Sequence, residues 1–292
     1  MKKQILFFVL LLVLACKQET KLNQSHNKIV RESTLLGQFM YDSQSNPLIS
    51  VHRGGKGLVN YPENCLETMQ YVHSIIPDAI FEIDISQTKD SILVLMHDNS
   101  LDRTTTGTGL IKNKTFKELQ NLRLQDDFNN LTSYSIPLFE DVLKWALKNR
   151  VVLTIDIKKS VYPKYIINTI NKFEAQDVSI IITYDLKQAQ HIHALAPNLL
   201  LSVSARNNKE FEALLDSNIP TKNMLAFTGT RLSSATLYDK IHSHGIKTIL
   251  GTLGNLDNRA KARGDYLYND WVLKGIDIIA TDRPFQVYNV IK

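Results

Sequence analysis

Residues 79–85 read Ala-Ile-Phe-Glu-Ile-Asp-Ile, and this stretch decides the fold that the sequence predicts. Side chains alternate between the two faces of a β-strand, so Glu82 and Asp84 share one face while Phe81, Ile83 and Ile85 share the other. A strand with one strongly apolar face packs against helices on that side. Residues 79–85 therefore predict a buried strand that presents two carboxylates near its end.

Apolar runs of this kind alternate with amphipathic, helix-like segments along most of the chain. The apolar runs are residues 48–52, 79–85, 92–97, 151–157, 178–183, 199–203, 224–227, 246–250 and 276–280. The helix-like segments are residues 64–76, 138–148, 163–173, 186–195, 208–216, 234–243, 260–274 and 284–291. Such alternation predicts βαβ units with parallel strands, and about eight units in roughly 250 residues favour a (β/α)8 TIM barrel of the α/β class.

An open, doubly wound sheet is the alternative architecture for the same alternation. No glycine-rich dinucleotide fingerprint follows the first apolar run, which weighs against a Rossmann version. Residues 98–136 break the rhythm with many Thr, Asn, Asp and Leu residues and only a short helical pattern at 115–122. We expect them to form a small insertion after the second strand, at the barrel mouth where loops build the active site.

The first residues are typical of an export signal. Lys2 and Lys3 precede an apolar run at residues 5–14, which is too short for an ordinary transmembrane helix. The run ends just before Cys16, and this arrangement resembles a bacterial lipobox, which implies cleavage before Cys16 and a lipid on its thiol. A plain secretory signal cut near Ala15, or an uncleaved anchor, is the alternative.

We therefore expect a signal peptide at residues 1–15, a lipidated tether at 16–46 and a barrel domain at 47–292 that includes the insertion at 98–136. The protein would be exported and anchored to a membrane through Cys16, facing the periplasm or the cell exterior. Of the two cysteines, Cys65 would then be unpaired, and a buried thiol is favoured over a nucleophile.

The charge balance argues against nucleic acid as a partner. The formal net charge of +5 falls to +3 (5 − 2) when Lys2 and Lys3 are removed with the signal. No stripe of interleaved aromatic and basic residues is present. Nothing in the sequence indicates an obligate protein partner, so a small-molecule substrate is favoured.

A second strand-like run, residues 151–159, repeats the polar pattern of the first. Thr154, Asp156 and Lys158 share one face by the same alternation. Carboxylates that converge at strand ends repel each other unless a cation lies between them, and a hard ion such as Mg²⁺ or Ca²⁺ prefers oxygen ligands. Asp156 is a candidate third ligand and Lys158 can reach a phosphate oxygen, although an ordinary Asp–Lys ion pair explains the two residues equally well.

Two of the eight histidines, His52 and His97, end apolar runs. An imidazole titrates near neutral pH and can hold or give a proton there, so both are candidate acid/base groups. The other six, at positions 26, 73, 191, 193, 242 and 244, have no metal-binding spacing and are assigned no role.

Two polar motifs precede predicted helices and have a structural explanation. Asn64 is placed to cap the first helix, with Glu67 completing a capping box. The segment 281–284 likewise opens the last helix, with Pro284 in its first turn and capping as the default interpretation.

Nine short motifs follow one another between residues 52 and 284. They are His52-Arg53-Gly54, Pro62-Glu63-Asn64, Glu82-Ile83-Asp84, His97-Asp98, Leu101-Asp102-Arg103-Thr104-Thr105, Gly107-Thr108-Gly109, Ile136-Pro137-Leu138, Asp156-Ile157-Lys158 and Thr281-Asp282-Arg283-Pro284. In this order they resemble the glycerophosphodiester phosphodiesterase family. Each motif alone is weak, but the series is specific and covers nearly all of the chain after Ser50.

The resemblance implies a barrel that hydrolyses glycerophosphodiesters to an alcohol and sn-glycerol 3-phosphate with one divalent metal ion, Mg²⁺ or Ca²⁺. The roles that it implies are metal ligation for Glu82, Asp84 and Asp156, acid/base catalysis for His52 and His97, phosphate binding for Arg53 and Lys158, and orientation of the substrate or the site for Glu63. The family usually has Glu at the position of Asp156, and a Trp-Thr-Val-Asn segment where this chain has residues 249–255, so the wall around the alcohol differs.

Two other functions stay open at this point. A related lyase would stop at a cyclic phosphate formed on a lipid headgroup. A lipid-anchored binding protein would capture phosphoesters without turnover, although pure binding has no need of two titrating imidazoles.

Overall fold

The structure, a computed structural model that describes residues 33–292, is built around nine β-strands in one sheet. The strands are β1 (Leu48–Val51), β2 (Ile80–Gln87), β3 (Leu93–Leu95), β4 (Leu153–Ile157), β5 (Ser179–Ile182), β6 (Leu200–Ser204), β7 (Met224–Phe227), β8 (Thr248–Gly251) and β9 (Ile278–Thr281). All except β3 pair in parallel, and β1 pairs with both β9 and β2, which closes the sheet. The predicted (β/α)8 TIM barrel is confirmed.

The structure has helices between the parallel strands, on the outside of the barrel, and also one short helix before β1 and one in the insertion at 98–136. They are α1 (Leu35–Gln38), α2 (Leu66–Ile75), α3 (Phe116–Leu119), α4 (Phe139–Asn149), α5 (Pro163–Lys172), α6 (Leu186–Leu195), α7 (Asn208–Leu215), α8 (Ala235–Ser243), α9 (Asn255–Arg263), α10 (Leu267–Val272) and α11 (Pro284–Ile291). The single helix predicted at 260–274 is wrong, because α9 ends at Arg263 and α10 starts at Leu267. Gly264 between them has φ +121°, a conformation that side-chain-bearing residues rarely adopt.

The strand that decided the fold lies as its alternation predicts. Phe81, Ile83 and Ile85 are completely buried in the main apolar core between sheet and helices. The other face of the barrel strands points inward. There, Ile80, Ile180 and other residues near the start of the strands form a second apolar cluster. Burial on both faces is typical of parallel strands in α/β proteins.

The stretch before residue 47 departs from the predicted tether. Leu35, Leu36 and Phe39 are buried in the inner cluster at the end of the barrel where the strands begin. Ser33 is held at the same end, since its backbone N–H donates to the carbonyl of Asn198 at 3.2 Å. The boundary at residues 46 and 47 is therefore placed too late, because a short apolar segment in a polar sequence gave no periodic signal. The predicted signal peptide, Cys16 and the tether up to residue 32 lie outside the described residues.

The insertion at 98–136 lies between β3 and α4 and has a small core of its own. Leu101, Ile111, Leu119 and Leu124 form this core with Cys65 from the barrel. Burial raises the pKa of the Cys65 thiol to about 12, which fits the expected inert, free cysteine. Among residues 33–292, no helix is long and apolar enough to cross a membrane.

Candidate active site

Three carboxylates meet at the ends of two neighbouring strands. The parallel register of β2 and β4 places Asp84 beside Asp156 and Glu82 beside Thr154. Each of Glu82, Asp84 and Asp156 offers an oxygen that lies within 4.8 Å of the oxygens of the other two. The predicted sharing of one face is confirmed for both strands, and hydrogen-bonding register rather than sequence proximity brings the third acid to the first two.

The three acids do not share one electrostatic environment. Burial opposes ionisation of Asp84, but the Lys158 ammonium and a hydrogen bond from Asn64 outweigh it, and the pKa of Asp84 is lowered. Burial, followed by the negative charge of Asp84, raises the pKa of Glu82 well above its ordinary value. Lys158 lies between two of the acids, since its Nζ donates to Asp156 at 2.7 Å and contacts Asp84.

The acid group fits a hard divalent cation. Its donors are carboxylate oxygens only, and Oδ1 of Asp156 is buried without a hydrogen-bond partner among the described residues. Lys158 brings one positive charge to Asp84 and Asp156, whereas the group contains three carboxyls. A buried oxygen with a free lone pair beside an undercompensated acid is what an oxygen-preferring ion such as Mg²⁺ or Ca²⁺ requires. Asp156, which is shorter than the Glu expected there, also belongs to this group.

His52 is oriented by a carboxylate from the opposite end of the chain. It follows β1, and its Nδ1 lies 2.6 Å from Oδ1 of Asp282, which follows β9. Asp282 is itself fixed, because its backbone N–H donates to the buried Asp257 at 2.9 Å. The interpretation of segment 281–284 as a capping segment is wrong in this respect: Pro284 does start α11, but no side chain caps this helix, and the Asp282 carboxylate binds His52 instead.

His97 has partners on both ring nitrogens. Its Nδ1 lies 2.7 Å from Oδ1 of Asp98, and its Nε2 lies 2.7 Å from Nη2 of Arg53. A guanidinium only donates, so Nε2 must be the accepting nitrogen and the ring is neutral with its proton on Nδ1. Arg53 reaches this position from a left-handed backbone conformation, φ +51°. Its backbone N–H donates to Oε2 of Glu82 at 2.7 Å.

Glu63 joins two arginines rather than facing the open cavity. It is buried, and it accepts hydrogen bonds from Nη1 of Arg53 at 3.1 Å and from Nη2 of Arg103 at 2.6 Å. Arg103 comes from the insertion and also donates from Nε to Asp98 at 2.6 Å. The expected contacts of Arg53, Glu63 and Lys158 with substrate stay predictions, since in this structure all three are paired with protein groups.

Both imidazoles and all three acids line one cavity of about 240 Å³ at the barrel mouth. Lys158 and Tyr184 line it beside the acids. Burial, followed by the negative charge of Asp156, raises the pKa of the Tyr184 phenol, so it stays protonated and can donate a hydrogen bond. Four apolar side chains also line the cavity, those of Ile182, Phe227, Ile249 and Leu253. Leu253 belongs to the segment that departs from the family pattern, which places that departure on the cavity wall.

Asn64 has a different role from the predicted one. Helix α2 begins at Leu66 after Cys65, without any side-chain cap. The Asn64 amide instead donates to Oδ2 of Asp84 at 2.6 Å and accepts from the Asp84 backbone N–H at 2.9 Å. The capping interpretation is wrong because Asn64 has φ +52°, which turns its side chain from the helix toward the acid cluster.

Four residues of the site were not predicted from the sequence to belong to it: Asn64, Arg103, Tyr184 and Asp282. Asn64, Arg103 and Asp282 stand within the family motifs, which was the only signal for them.

Comparison with known proteins agrees with this geometry. The model of the glycerophosphoryl diester phosphodiesterase family matches residues 52–284, a range that contains every site residue described above. The chain belongs to this family. A crystal structure of a glycerophosphoryl diester phosphodiesterase from Parabacteroides distasonis is 33% identical, with a TM-score of 0.81 over 88% of this chain and 90% of that one.

Other members of the family are more distant or match over a shorter region. A glycerophosphodiester phosphodiesterase from Bacillus altitudinis is 32% identical over 162 residues, which is 53% of this chain and 65% of that relative. The chain thus spans slightly less than two thirds of the first curated relatives that it matches. An Oleispira antarctica phosphodiesterase solved with sn-glycerol-3-phosphate is 21% identical with a TM-score of 0.66 over 84% of this chain and 97% of that one, a likeness of fold.

Proposed function

We propose that this protein hydrolyses glycerophosphodiesters to an alcohol and sn-glycerol 3-phosphate. One observation carries the proposal: a single cavity is lined by two imidazoles, each bonded to its own carboxylate, and by three clustered acids. Cleavage of a phosphodiester needs a proton acceptor for the nucleophile, a proton donor for the leaving alcohol and positive charge near the phosphoryl oxygens. The names of the family and of its relatives agree with that chemistry.

The two histidines would move the protons. With Nδ1–H held by Asp282, His52 keeps a basic Nε2, and within the described residues this nitrogen makes no hydrogen bond. One imidazole, neutral at Nε2, accepts the proton of the attacking hydroxyl, which is water or the neighbouring hydroxyl of the glycerol group. The other first takes up a proton from solvent on Nε2 and, as the imidazolium, gives it to the departing alcohol oxygen. If the glycerol hydroxyl attacks first, a cyclic phosphate forms and water then opens it.

Arg53 would bind the phosphate after giving up its bond to His97. Its Nη2 covers the His97 Nε2 in this structure, and its Nε is buried without a partner among residues 33–292. A phosphate that draws the guanidinium toward its oxygens satisfies this arginine and frees the His97 nitrogen for proton transfer.

Glu82, Asp84 and Asp156 would hold one divalent ion, Mg²⁺ or Ca²⁺, which when bound neutralises charge on the phosphoryl oxygens. Removal of metal by a chelator, checked by elemental analysis, should therefore abolish turnover, and added Mg²⁺ or Ca²⁺ should restore it. Full activity in protein shown to be free of metal would exclude this role. Unfolding curves of the chelated and metal-loaded protein separate a catalytic loss from a loss of fold.

A product assay tests the proposed activity. Purified protein is incubated with glycerophosphocholine and other glycerophosphodiesters in Mg²⁺ or Ca²⁺, and glycerol 3-phosphate is detected with a coupled enzyme. Phosphorus NMR of the same mixture separates the monoester from a cyclic phosphate, which would instead indicate a lyase. The doubly substituted variant His52→Ala/His97→Ala, purified in the same way, controls for contaminating phosphodiesterases. No product from any member of the panel would contradict the proposal.

We also propose that the protein is exported and anchored to a membrane by a lipid on Cys16. The support is the sequence alone, namely the basic start, the short apolar run and the position of Cys16. Labelling of cells with radioactive palmitate should mark the wild-type chain and not the Cys16→Ser variant. A labelled Cys16→Ser variant, or an unlabelled wild type, would contradict the anchor.

A further inference from the structure

Five charged or titratable residues form a closed hydrogen-bonded ring around one wall of the cavity. In order, the ring runs through His97, Asp98, Arg103, Glu63 and Arg53 and returns to His97. Every link has a donor–acceptor distance between 2.6 and 3.1 Å. The barrel contributes Arg53 and Glu63, and the insertion contributes Arg103.

Arg103 is the residue on which the ring depends. Its planar guanidinium binds two different acids, with Nε on Asp98 and the two terminal nitrogens on Glu63. Those acids hold opposite sides of the same imidazole, because Asp98 bonds to Nδ1 of His97 and Glu63 positions the Arg53 group that bonds to Nε2. A single side chain thereby fixes His97 from two directions. Lysine cannot replace it fully, since a point charge cannot donate to both acids with this fork geometry.

The charges within the ring also indicate that Arg103 supports His97. Within the ring, two guanidinium groups face two carboxylates, so a neutral His97 leaves the five residues without net charge. Outside the ring, Nη1 of Arg103 also lies 3.5 Å from Oδ1 of Asp127. The hydrogen bond from Arg103 is the largest cause that lowers the pKa of Asp98, to about 2, and the hydrogen bond with Glu63 is the largest that raises the pKa of Arg103. Without Arg103, the buried Glu63 would keep only Arg53 and the half-buried Asp98 would lose its guanidinium partner, so the neutral Nδ1–H form of His97 would lose its support.

We propose that Arg103 is a positioning residue that couples the insertion to catalysis by holding His97 through Asp98 and Arg53 through Glu63. This inference rests on the proposed phosphodiesterase function, but the geometry that it invokes can be measured without turnover. Arg103 does not line the cavity and is not proposed to touch the reacting atoms. The insertion would then be a catalytic part of the enzyme and not only a wall of the substrate pocket.

The kinetic test compares Arg103→Met and Arg103→Lys with Arg123→Met. Arg123 is a matched control on the same insertion, where it donates to the carbonyl of Leu122 and to Ser135. We expect Arg103→Met to lower kcat about 10²-fold, the cost of displacing a catalytic group by about 1 Å, with KM changed far less. Arg103→Lys should lose less, and Arg123→Met should stay close to wild type. A kcat for Arg103→Met within threefold of the Arg123→Met value would overturn the proposal.

Nitrogen-15 NMR of the histidine rings tests the geometry without any substrate. Wild-type protein at neutral pH should show His97 with its proton on Nδ1. Arg103→Met should change the His97 ring signals, and His52 should keep its own because Asp282 holds it independently. If His97 is unchanged in Arg103→Met, the proposal is wrong even where activity falls. If Arg103→Met does not fold, the same comparison in Arg103→Lys decides. If the wild type has no phosphodiesterase activity, the proposed function fails while the NMR result still tests the ring.

Discussion

The two imidazoles of the cavity are held in opposite ways. His52 depends on a single carboxylate, Asp282, which the barrel itself fixes through Asp257. His97 depends on a ring that crosses into the insertion and occupies both of its nitrogens. One histidine is thus oriented by the closed barrel itself, and the other by a segment that the barrel does not need for closure. This difference predicts that the two sides of the site respond differently to the loss of a supporting residue.

The largest effect should come from removal of either imidazole. His52→Ala and His97→Ala should each lower kcat by about 10³-fold or more, because general acid or base catalysis contributes about 10²–10⁴-fold and neither group can replace the other. Rates of glycerol 3-phosphate release measure this, with circular dichroism to confirm the fold. His191→Ala, on the exposed side of α6, is the matched control and should keep full activity. Substantial turnover by either cavity variant would refute its assignment.

A smaller, unequal effect should follow from removal of the carboxylate partners. Asp282→Asn leaves His52 without its one anionic support and should lower kcat about 10²-fold, as expected when a catalytic group loses its alignment. Asp98→Asn removes a carboxylate whose charge Arg103 already shares, so it should cost less, about tenfold. Both variants are assayed for kcat and KM under the same conditions. Equal losses, or a larger loss for Asp98→Asn, would show that His52 does not depend more strongly than His97 on its carboxylate partner.

The smallest effect concerns stability at low pH. The hydrogen bond from Arg103 lowers the folded-state pKa of Asp98 to about 2, against about 3.9 in an unfolded chain. A lowered pKa stabilises the fold above the unfolded value, and this contribution disappears as the pH falls through about 2. The difference in unfolding free energy between wild type and Asp98→Asn, measured by denaturant titration, should therefore shrink between about pH 5 and pH 2. A difference that stays constant or grows would show that Asp98 does not contribute through its charge.

Sequence periodicity was sufficient to predict the three clustered acids of the site. Glu82 and Asp84 share a face because neighbouring strand residues alternate, and Asp156 joins them because parallel strands in register end at the same edge. The register of β2 with β4 is long-range, but side-chain alternation and the parallel strands that βαβ units imply are both readable from one sequence. The strands and most helices were predictable for the same reason.

Long-range contacts limited prediction of the rest. The partner of His52 lies 230 residues away, and no local pattern links it to β1. Asn64 looked like a helix cap because the sequence does not show that its backbone is left-handed. The ring through Arg103 forms only when the folded insertion lies against the barrel. Leu35 and Phe39 are buried only because they pack into the end of the barrel where the strands begin. Each of these was decided by tertiary packing rather than by propensity.

A crystal structure with sn-glycerol 3-phosphate and Mg²⁺ or Ca²⁺ tests the central claim most directly. We predict one ion on Glu82, Asp84 and Asp156. We also predict a phosphate between His52 and His97, with Arg53 turned away from His97 and onto the phosphate oxygens. A phosphate bound outside this cavity, or within reach of only one imidazole, would contradict it.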